Sequence, residues 1–228
     1  MLPLNDLYLM DCMDGMREYP DGYFDLAIVD PPYYPESNLK YHNGGDVSTT
    51  KIIRNNYHKS SSWEMPTLEY YNELMRVSKN QIIWGINYFD FPNIPCGRVV
   101  WDKQRAGLIG SFSDAEIASC SLINGVRIFR FRWDGMLQGD MKNKEKKIHI
   151  TQKPVALYQW LLGNYAKQGD KILDTHVGSA SSLVACHGAG YDYVGFEIDK
   201  EYYRLAQERL SAIRAQTDLF IPIKEQAE

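Results

Sequence analysis

The sequence predicts an α/β fold, a doubly wound and mostly parallel sheet with an antiparallel part, in a single domain over 1–228. Three observations carry this. Short, mostly apolar runs end at a polar or acidic residue and alternate with segments of helical period, as at 24–29 before the Pro31-Pro32 pair and 172–173 before Asp174. These runs are apolar at consecutive positions, as expected of strands covered on both faces. Between 98 and 131 the apolar runs follow one another without a helical segment, which supplies the antiparallel part. At 228 residues the length suits one large α/β domain, and 44% hydrophobic residues with five tryptophans are ample for its core.

Taken in order, 7–10 is a short strand ending at Asp11-Cys12, and 13–18 is a helix. Asp21-Gly22 is a turn before the strand at 24–29. Residues 35–62 are polar and irregular, and so long a loop is uncommon in a compact domain unless it is functional or mobile. It carries Lys40, Lys51, Arg54 and Lys59 beside Tyr41 and Tyr57, so it either closes over an extended substrate or is a surface insertion. From Thr67 a helix is predicted with Leu68, Tyr71, Leu74, Met75 and Ser78 on one face. Strands follow at 82–84 and 98–101. Residues 116–122 and 126–131 read as a hairpin around the Asn124-Gly125 turn, and 132–148 as an excursion from the sheet. Proline at the first turn opens a helix over 155–165. A strand at 171–174, a helix at 181–187, a strand at 193–197 and an amphipathic helix at 200–213 complete the order, with 217–228 a loosely held tail.

The net charge is −4, which does not advertise a polyanion binder, but its distribution is uneven. Residues 127–153 hold eight Lys/Arg against three acids, a net +5, so the rest of the chain carries −9. That stretch is either a phosphate-binding region or a solvated basic face. Cys12, Cys96, Cys120 and Cys186 show no CxxC pair and no metal-ligand spacing, and read as reduced core thiols, with no metal expected. No signal peptide is legible and no run nears the ~20 apolar residues that span a bilayer. The expectation is a soluble, cytoplasmic protein with no membrane partner.

The densest chemistry lies at Asp30-Pro31-Pro32-Tyr33. Prolines lack a backbone N–H and cannot continue a central ladder, so the strand stops and its last groups stand at its carboxyl end. In open α/β sheets ligands bind at that edge. A carboxylate, a proline carbonyl and an aromatic face together suit a planar, amino-bearing ring; the alternative is a turn in which Asp30 caps local backbone. A second set lies at 174–182, a small polar loop that opens a helix, where free N–H groups attract anionic oxygens. Glu197 ends the next strand, 19 residues after Gly178, a spacing that places an acid on ribose hydroxyls. The loop lacks the full GxGxxG pattern, so a single nucleoside with a small anionic tail, such as S-adenosylmethionine, fits better than a dinucleotide.

The order Asp30-Pro31-Pro32-Tyr33, then Thr151-Gln152-Lys153-Pro154, then the Asp174 loop and Glu197, resembles the β class of DNA amino-methyltransferases over about residues 7–212. The resemblance implies a Rossmann-like methyltransferase fold with permuted motif order, the catalytic half preceding the cofactor half. It implies 35–62 as a mobile loop and 105–148 as a DNA target-recognition insertion. By resemblance Asp30, Pro31 and Tyr33 are catalytic, and Asp30 also borders the cofactor, S-adenosylmethionine. Asp11 and the Cys12 backbone would hold its adenine, Glu197 its ribose. Gly178, Ser179 and Ser181, with Thr151 and Lys153, would surround its methionine end, and Asp174 would be a further cofactor-binding residue. The family loop reads Gly-Ser-Gly-Thr where this chain has Gly178-Ser179-Ala180-Ser181. If position 180 needs positive φ, alanine is strained by about 1 kcal/mol or more.

The implied reaction is transfer of a methyl group to N6 of an adenine flipped out of double-stranded DNA, in a restriction-modification setting, by a protein working at the nucleoid, with a homodimer as a further implication. Asp30 and the Pro31 carbonyl would accept the amine hydrogens and Tyr33 would stack on the base. Aspartate at the first position resembles the adenine enzymes, whereas serine is usual in the N4-cytosine enzymes. The other readings are N4-cytosine, RNA adenine or a protein amide as acceptor, or a silent nucleic-acid binder.

Overall fold

The computed structural model describes residues 1–33, 64–105, 113–134 and 137–220. Its main sheet has eight strands: β1 (Asp6–Leu9), β2 (Leu26–Val29), β3 (Gln81–Trp84), β4 (Gly97–Asp102), β5 (Ala115–Cys120), β6 (Val126–Arg130), β9 (Lys171–Asp174) and β10 (Asp192–Glu197), in the order β1-β10-β9-β2-β3-β5-β4-β6. The short strands β7 (Trp133–Asp134) and β8 (Leu137–Gln138) pair separately. All neighbours in the main sheet are parallel except β5, which runs against both β3 and β4. The carboxyl ends of β1, β10, β9, β2, β3, β4 and β6 therefore share one edge, and the amino end of the reversed β5 joins them there.

Alternation along each strand divides the core. Leu26, Ile28, Ile82 and Trp84 face one side, with helices α3 (Val155–Tyr165), α4 (Ser181–Ala189) and α5 (Lys200–Phe220) supplying Leu157, Leu161, Leu183 and Leu210. Ala27, Val29 and Ile83 face the other, against α1 (Cys12–Arg17) and α2 (Leu68–Val77) with Met16, Tyr70, Leu74 and Val77. Two covered faces explain why these strands are apolar at consecutive positions, all of β2 and 82–84 of β3.

Helix starts follow their local chemistry. Asp11 caps α1 by accepting from Met13 N at 2.7 Å, and Thr67 caps α2 by accepting from Tyr70 N at 3.3 Å. The buried face of α2 is rotated from the one expected: Tyr70, Tyr71, Leu74 and Val77 are buried, while Leu68 and Met75 are exposed. Amphipathic spacing here allowed two faces, and the sheet selects the more aromatic one. Helix α5 runs on to Phe220, past the expected end at 213, so 217–220 belong to the helix and not to a tail. Of the four cysteines, only Cys120 and Cys186 are core residues; Cys96 is exposed and Cys12 half-buried.

The expected hairpin is not formed. Strands β5 and β6 exist, but β4 lies between them, antiparallel to β5 and parallel to β6. The 121–125 connection crosses the amino end of β4, and Arg98 N donates to Gly125 O at 2.9 Å. A Cβ at Gly97 would lie 2.1 Å from Ile123 O and 2.4 Å from Cys120 O. Glycine is the residue that lets the crossing chain touch the strand beneath it. Both contacts are rigid backbone, so Gly97→Ala is expected to lower the urea-unfolding free energy by about 3 kcal/mol. An unchanged urea midpoint would show that the crossing yields.

Candidate active site

Asp30 stands just past β2, where the prolines end the ladder as expected. Its Oδ2 accepts from Lys153 Nζ at 2.6 Å, a pairing across 123 residues. The other oxygen, Oδ1, is buried and has no hydrogen-bond partner among the described residues. The Lys153 ammonium is itself buried, 2% exposed, and lies 2.7 Å from Glu116 Oε2. Glu116 Oε1 lies 2.5 Å from Lys103 Nζ, and Oε2 also accepts from the Tyr33 hydroxyl at 3.0 Å. Burial, and then the Glu116 charge, raise the Asp30 carboxyl above its ordinary range against the pull of Lys153. Burial also penalises Glu116, but Lys153 and Lys103 together outweigh it and hold that carboxyl at about 2.

Tyr33 leaves the proline turn and stacks on Tyr88, with ring centroids 5.1 Å apart at 9°. The ring lies over Gly85, whose φ is +71° and whose Cβ, if present, would meet Tyr33 Cδ1 at 2.2 Å. Gly85 ends β3 in a left-handed turn and leaves the space the ring fills.

The second strand-end set is the 174–182 loop. Asp174 is buried beneath it, accepting from His176 N at 3.0 Å and from the Ser182 hydroxyl. Gly178 N donates to Glu197 Oε2 at 2.8 Å, and Asp199 N to Glu197 Oε1 at 2.9 Å. Each Glu197 oxygen thus keeps acceptor capacity beyond one backbone bond. Ala180 has φ +61° and heads α4, so the strained conformation is the one present. From outside the loop, Arg209 on α5 donates to Ser179 O at 2.9 Å and Ser181 Oγ at 3.0 Å, and pairs with Glu145 at 2.8 Å. Glu145 in turn accepts from Val155 N at the start of α3 at 2.9 Å.

An open cleft runs between the two sets, with about 620 Å³ of empty space that is continuous with solvent. Asp30, Thr151, Lys153, Gly178, Ser179 and Glu197 line it together. Asp11, Cys12, Pro31, Tyr33, Asp174 and Ser181 are not on its wall. Asp11 is occupied as a helix cap, although Met10 N donates to Glu197 O at 3.1 Å and keeps the two strand ends adjacent. Asp174 and Ser181 brace the loop from beneath. Lys153 was expected at a methionine tail; its ammonium is instead committed to two carboxylates.

The DNA methylase family matches residues 100–208. The type II methyltransferase M2.LlaDCHI of Lactococcus lactis subsp. cremoris is 33% identical over 226 residues, 82% of each chain. This chain belongs to the DNA amino-methyltransferase family. The type II methyltransferase M.HinfI of Haemophilus influenzae is 22% identical, over 92% of this chain and 69% of that one. In architecture this methyltransferase resembles M1.HpyAVI in its crystal structure as an M1.HpyAVI-SAM complex, with TM-score 0.51, 18% identity, and 90% and 98% of the two chains covered. It also resembles the PvuII DNA methyltransferase, described as cytosine-N4-specific, with TM-score 0.57, 10% identity, and 92% and 91% covered.

Several residues of this methyltransferase site escape sequence reasoning. Glu116 belongs to no motif; it reaches Lys153 and Tyr33 only because β5 is reversed, which brings its first residues to the edge where the other strands end. His149, Tyr158, Ile198 and Tyr202 also line the cleft. The His149 ring packs on Tyr202 with centroids 4.1 Å apart, and burial holds its pKa at about 4. The basic run is not one face: Arg127, Arg130, Lys142, Lys144 and Lys146 are exposed, Lys147 lies over the Trp133 ring and Lys153 is internal. The expected loop at 35–62 lies outside the described residues, as do 106–112 and 135–136 of the expected recognition region. Among the described residues no helix is long and apolar enough to cross a membrane.

Burial raises the Asp174 carboxyl to about 7, against the pull of Ser182 and His176 N. Between the unfolded value near 4 and 7, the folded state binds the extra proton, so this group's stabilising contribution is present at low pH and is lost as pH rises. Buried His149 and His176, each held at about 4, act in the opposite sense, so a variant is needed to isolate the effect. Asp174→Asn is expected to gain about 2–3 kcal/mol on the parent between pH 5 and pH 8. A difference in urea-unfolding free energy that stays flat with pH would refute the assignment.

Proposed function

We propose that this chain transfers a methyl group from S-adenosylmethionine to N6 of an adenine flipped out of double-stranded DNA, with Asp30 as the acceptor that prepares the amine. The observation carrying this reading is Asp30 itself, one oxygen held by Lys153 and the other buried and unmatched among the described residues. A buried carboxylate oxygen without a donor is costly, and an amine hydrogen supplied by substrate satisfies it.

The cleft suits the proposed cofactor. Glu197 has acceptor capacity left for ribose hydroxyls, Ile198 offers a half-exposed apolar side chain beside it, and the Thr151 hydroxyl and the small Gly178-Ser179 turn leave room for a polar tail. S-adenosylmethionine supplies, when bound, an electrophilic methyl group on a sulfonium. The remaining work falls to the protein. The amine is a weak nucleophile because its lone pair is delocalised into the ring. Asp30 Oδ1 and the Pro31 carbonyl each accept one amine hydrogen, which favours tetrahedral nitrogen and frees the pair for attack. Nitrogen gains a carbon, the departing C–S pair returns to sulfur, and the surplus proton passes to Asp30. The raised Asp30 carboxyl suits that last step.

Tyr33, braced by Tyr88 and Gly85, packs against the extruded base, a contact worth roughly 1–3 kcal/mol that offsets part of the few kcal/mol flipping costs. Exposed Arg127, Arg130, Lys142, Lys144 and Lys146, with 35–62, supply phosphate contacts, and 105–148 the sequence readout. The enzyme works at the nucleoid, and a homodimer is part of the same proposal. Adenine is favoured over cytosine by aspartate at position 30; the second reading, N4-cytosine, draws on the architectural likeness to the PvuII enzyme.

Asp30→Ala is expected to fold and bind S-adenosylmethionine within a few-fold of the parent while losing at least 1,000-fold in methyl transfer. Mass spectrometry of nucleosides from DNA methylated by the parent should yield N6-methyladenine. N4-methylcytosine alone would move the acceptor to cytosine, and near-parental turnover by Asp30→Ala would remove the mechanism.

A further inference from the structure

We infer that Glu116, at the start of the reversed strand β5, is a positioning residue for methyl transfer, holding the Tyr33 ring and the Lys153 ammonium through one carboxylate oxygen. The inference rests on the catalytic roles proposed for Asp30 and Tyr33. Four contacts carry it. Oε2 of Glu116 accepts from the Tyr33 hydroxyl at 3.0 Å and lies 2.7 Å from Lys153 Nζ. Oε1 is fixed by Lys103 Nζ at 2.5 Å, and Lys153 continues to Asp30 Oδ2 at 2.6 Å.

Two effects follow. Tyr33 is attached to the proline turn at its Cα and to β5 at its hydroxyl, so the plane on which a base would stack is fixed from both ends. The Lys153 ammonium is divided between two carboxylates, so it neutralises Asp30 only in part. Without Glu116 the ammonium would serve Asp30 alone, and Asp30 would become a weaker proton acceptor. Lys103 completes a cluster of two cations and two anions, which keeps the buried group neutral overall. Register accounts for the placement: Glu116 pairs with Trp101 across the β4–β5 ladder, so it meets Lys103 just past the end of β4.

The test uses the full chain and four variants: Glu116→Gln, Tyr33→Phe, the two combined, and Asp30→Ala. Glutamine keeps the size and one acceptor but removes the charge. Glu116→Gln is expected to bind S-adenosylmethionine within about three-fold of the parent and to lose at least ten-fold in kcat. The acid limb of its kcat profile should move about one unit to lower pH, a shift that mere loss of packing does not produce. Tyr33→Phe should lower kcat about ten-fold in the parent and hardly at all in Glu116→Gln, because the contact is already lost there. Parental kcat with an unmoved acid limb in Glu116→Gln, or equal effects of Tyr33→Phe in both backgrounds, would overturn the inference. If Glu116→Gln does not fold, Tyr33→Phe alone decides: a ten-fold fall in kcat upholds the inference and parental kcat overturns it. An active Asp30→Ala would overturn the functional reading beneath it, whereas an inactive Asp30→Ala beside a parental Glu116→Gln defeats only the Glu116 role.

Discussion

The ion pair between Lys153 and Asp30 joins the two halves of this methyltransferase, and the arrangement of the site depends on it. Asp30 ends β2 in the first seventh of the chain, while Lys153 precedes α3, 123 residues later. Burying ions costs several kcal/mol each before their attraction offsets it. A cluster of this kind is therefore a poor source of stability, and its value lies in geometry. It places one Asp30 oxygen firmly and leaves the other buried and without a partner among the described residues, where an incoming donor gains most.

Sheet topology explains how separate segments reach one place. Parallel strands end at a common edge whatever their order in sequence, so a catalytic half that precedes the cofactor half is built as readily as the reverse. Glu197, Asp174 and Asp30 stand at the ends of three adjacent strands, β10, β9 and β2. The reversed strand adds what parallel strands cannot, the beginning of a strand at that same edge, and Glu116 sits there. Around this frame, Arg209 ties the 174–182 loop to Glu145, and Glu145 to the start of α3, so the loop and the segment carrying Lys153 are held as a unit.

Much of this was legible in the residues. The apolar strands, their acidic ends, the proline stop after Asp30 and the loop opening α4 are local signals, and each formed where local chemistry placed it. What stayed hidden is non-local. Asn124-Gly125 is a strong hairpin signal, but no sequence pattern shows that β4 inserts between β5 and β6; Gly97 was the residual clue, a glycine at the start of a strand. Lys153 carried a motif but not its partner. Glu116 had neither motif nor spacing, because its role depends on the register of a strand pair. The eight basic residues of 127–153 formed one block in sequence, yet Lys147 and Lys153 turn inward once Trp133 and Asp30 are in place. Ala180 was an either-or in the sequence, and its positive φ resolves it toward strain at the head of α4.

The central claim is that Asp30 Oδ1, the oxygen Lys153 does not hold, receives the target amine. A crystal structure of the complex with a non-reactive analogue of S-adenosylmethionine and a DNA duplex carrying the target base tests it most directly. The account predicts the exocyclic nitrogen about 3 Å from Asp30 Oδ1, with Lys153 still on Oδ2. An extruded base whose amine lies beyond hydrogen-bond reach of Asp30, or a Lys153 that has left Asp30 for the cofactor's carboxylate, would contradict it.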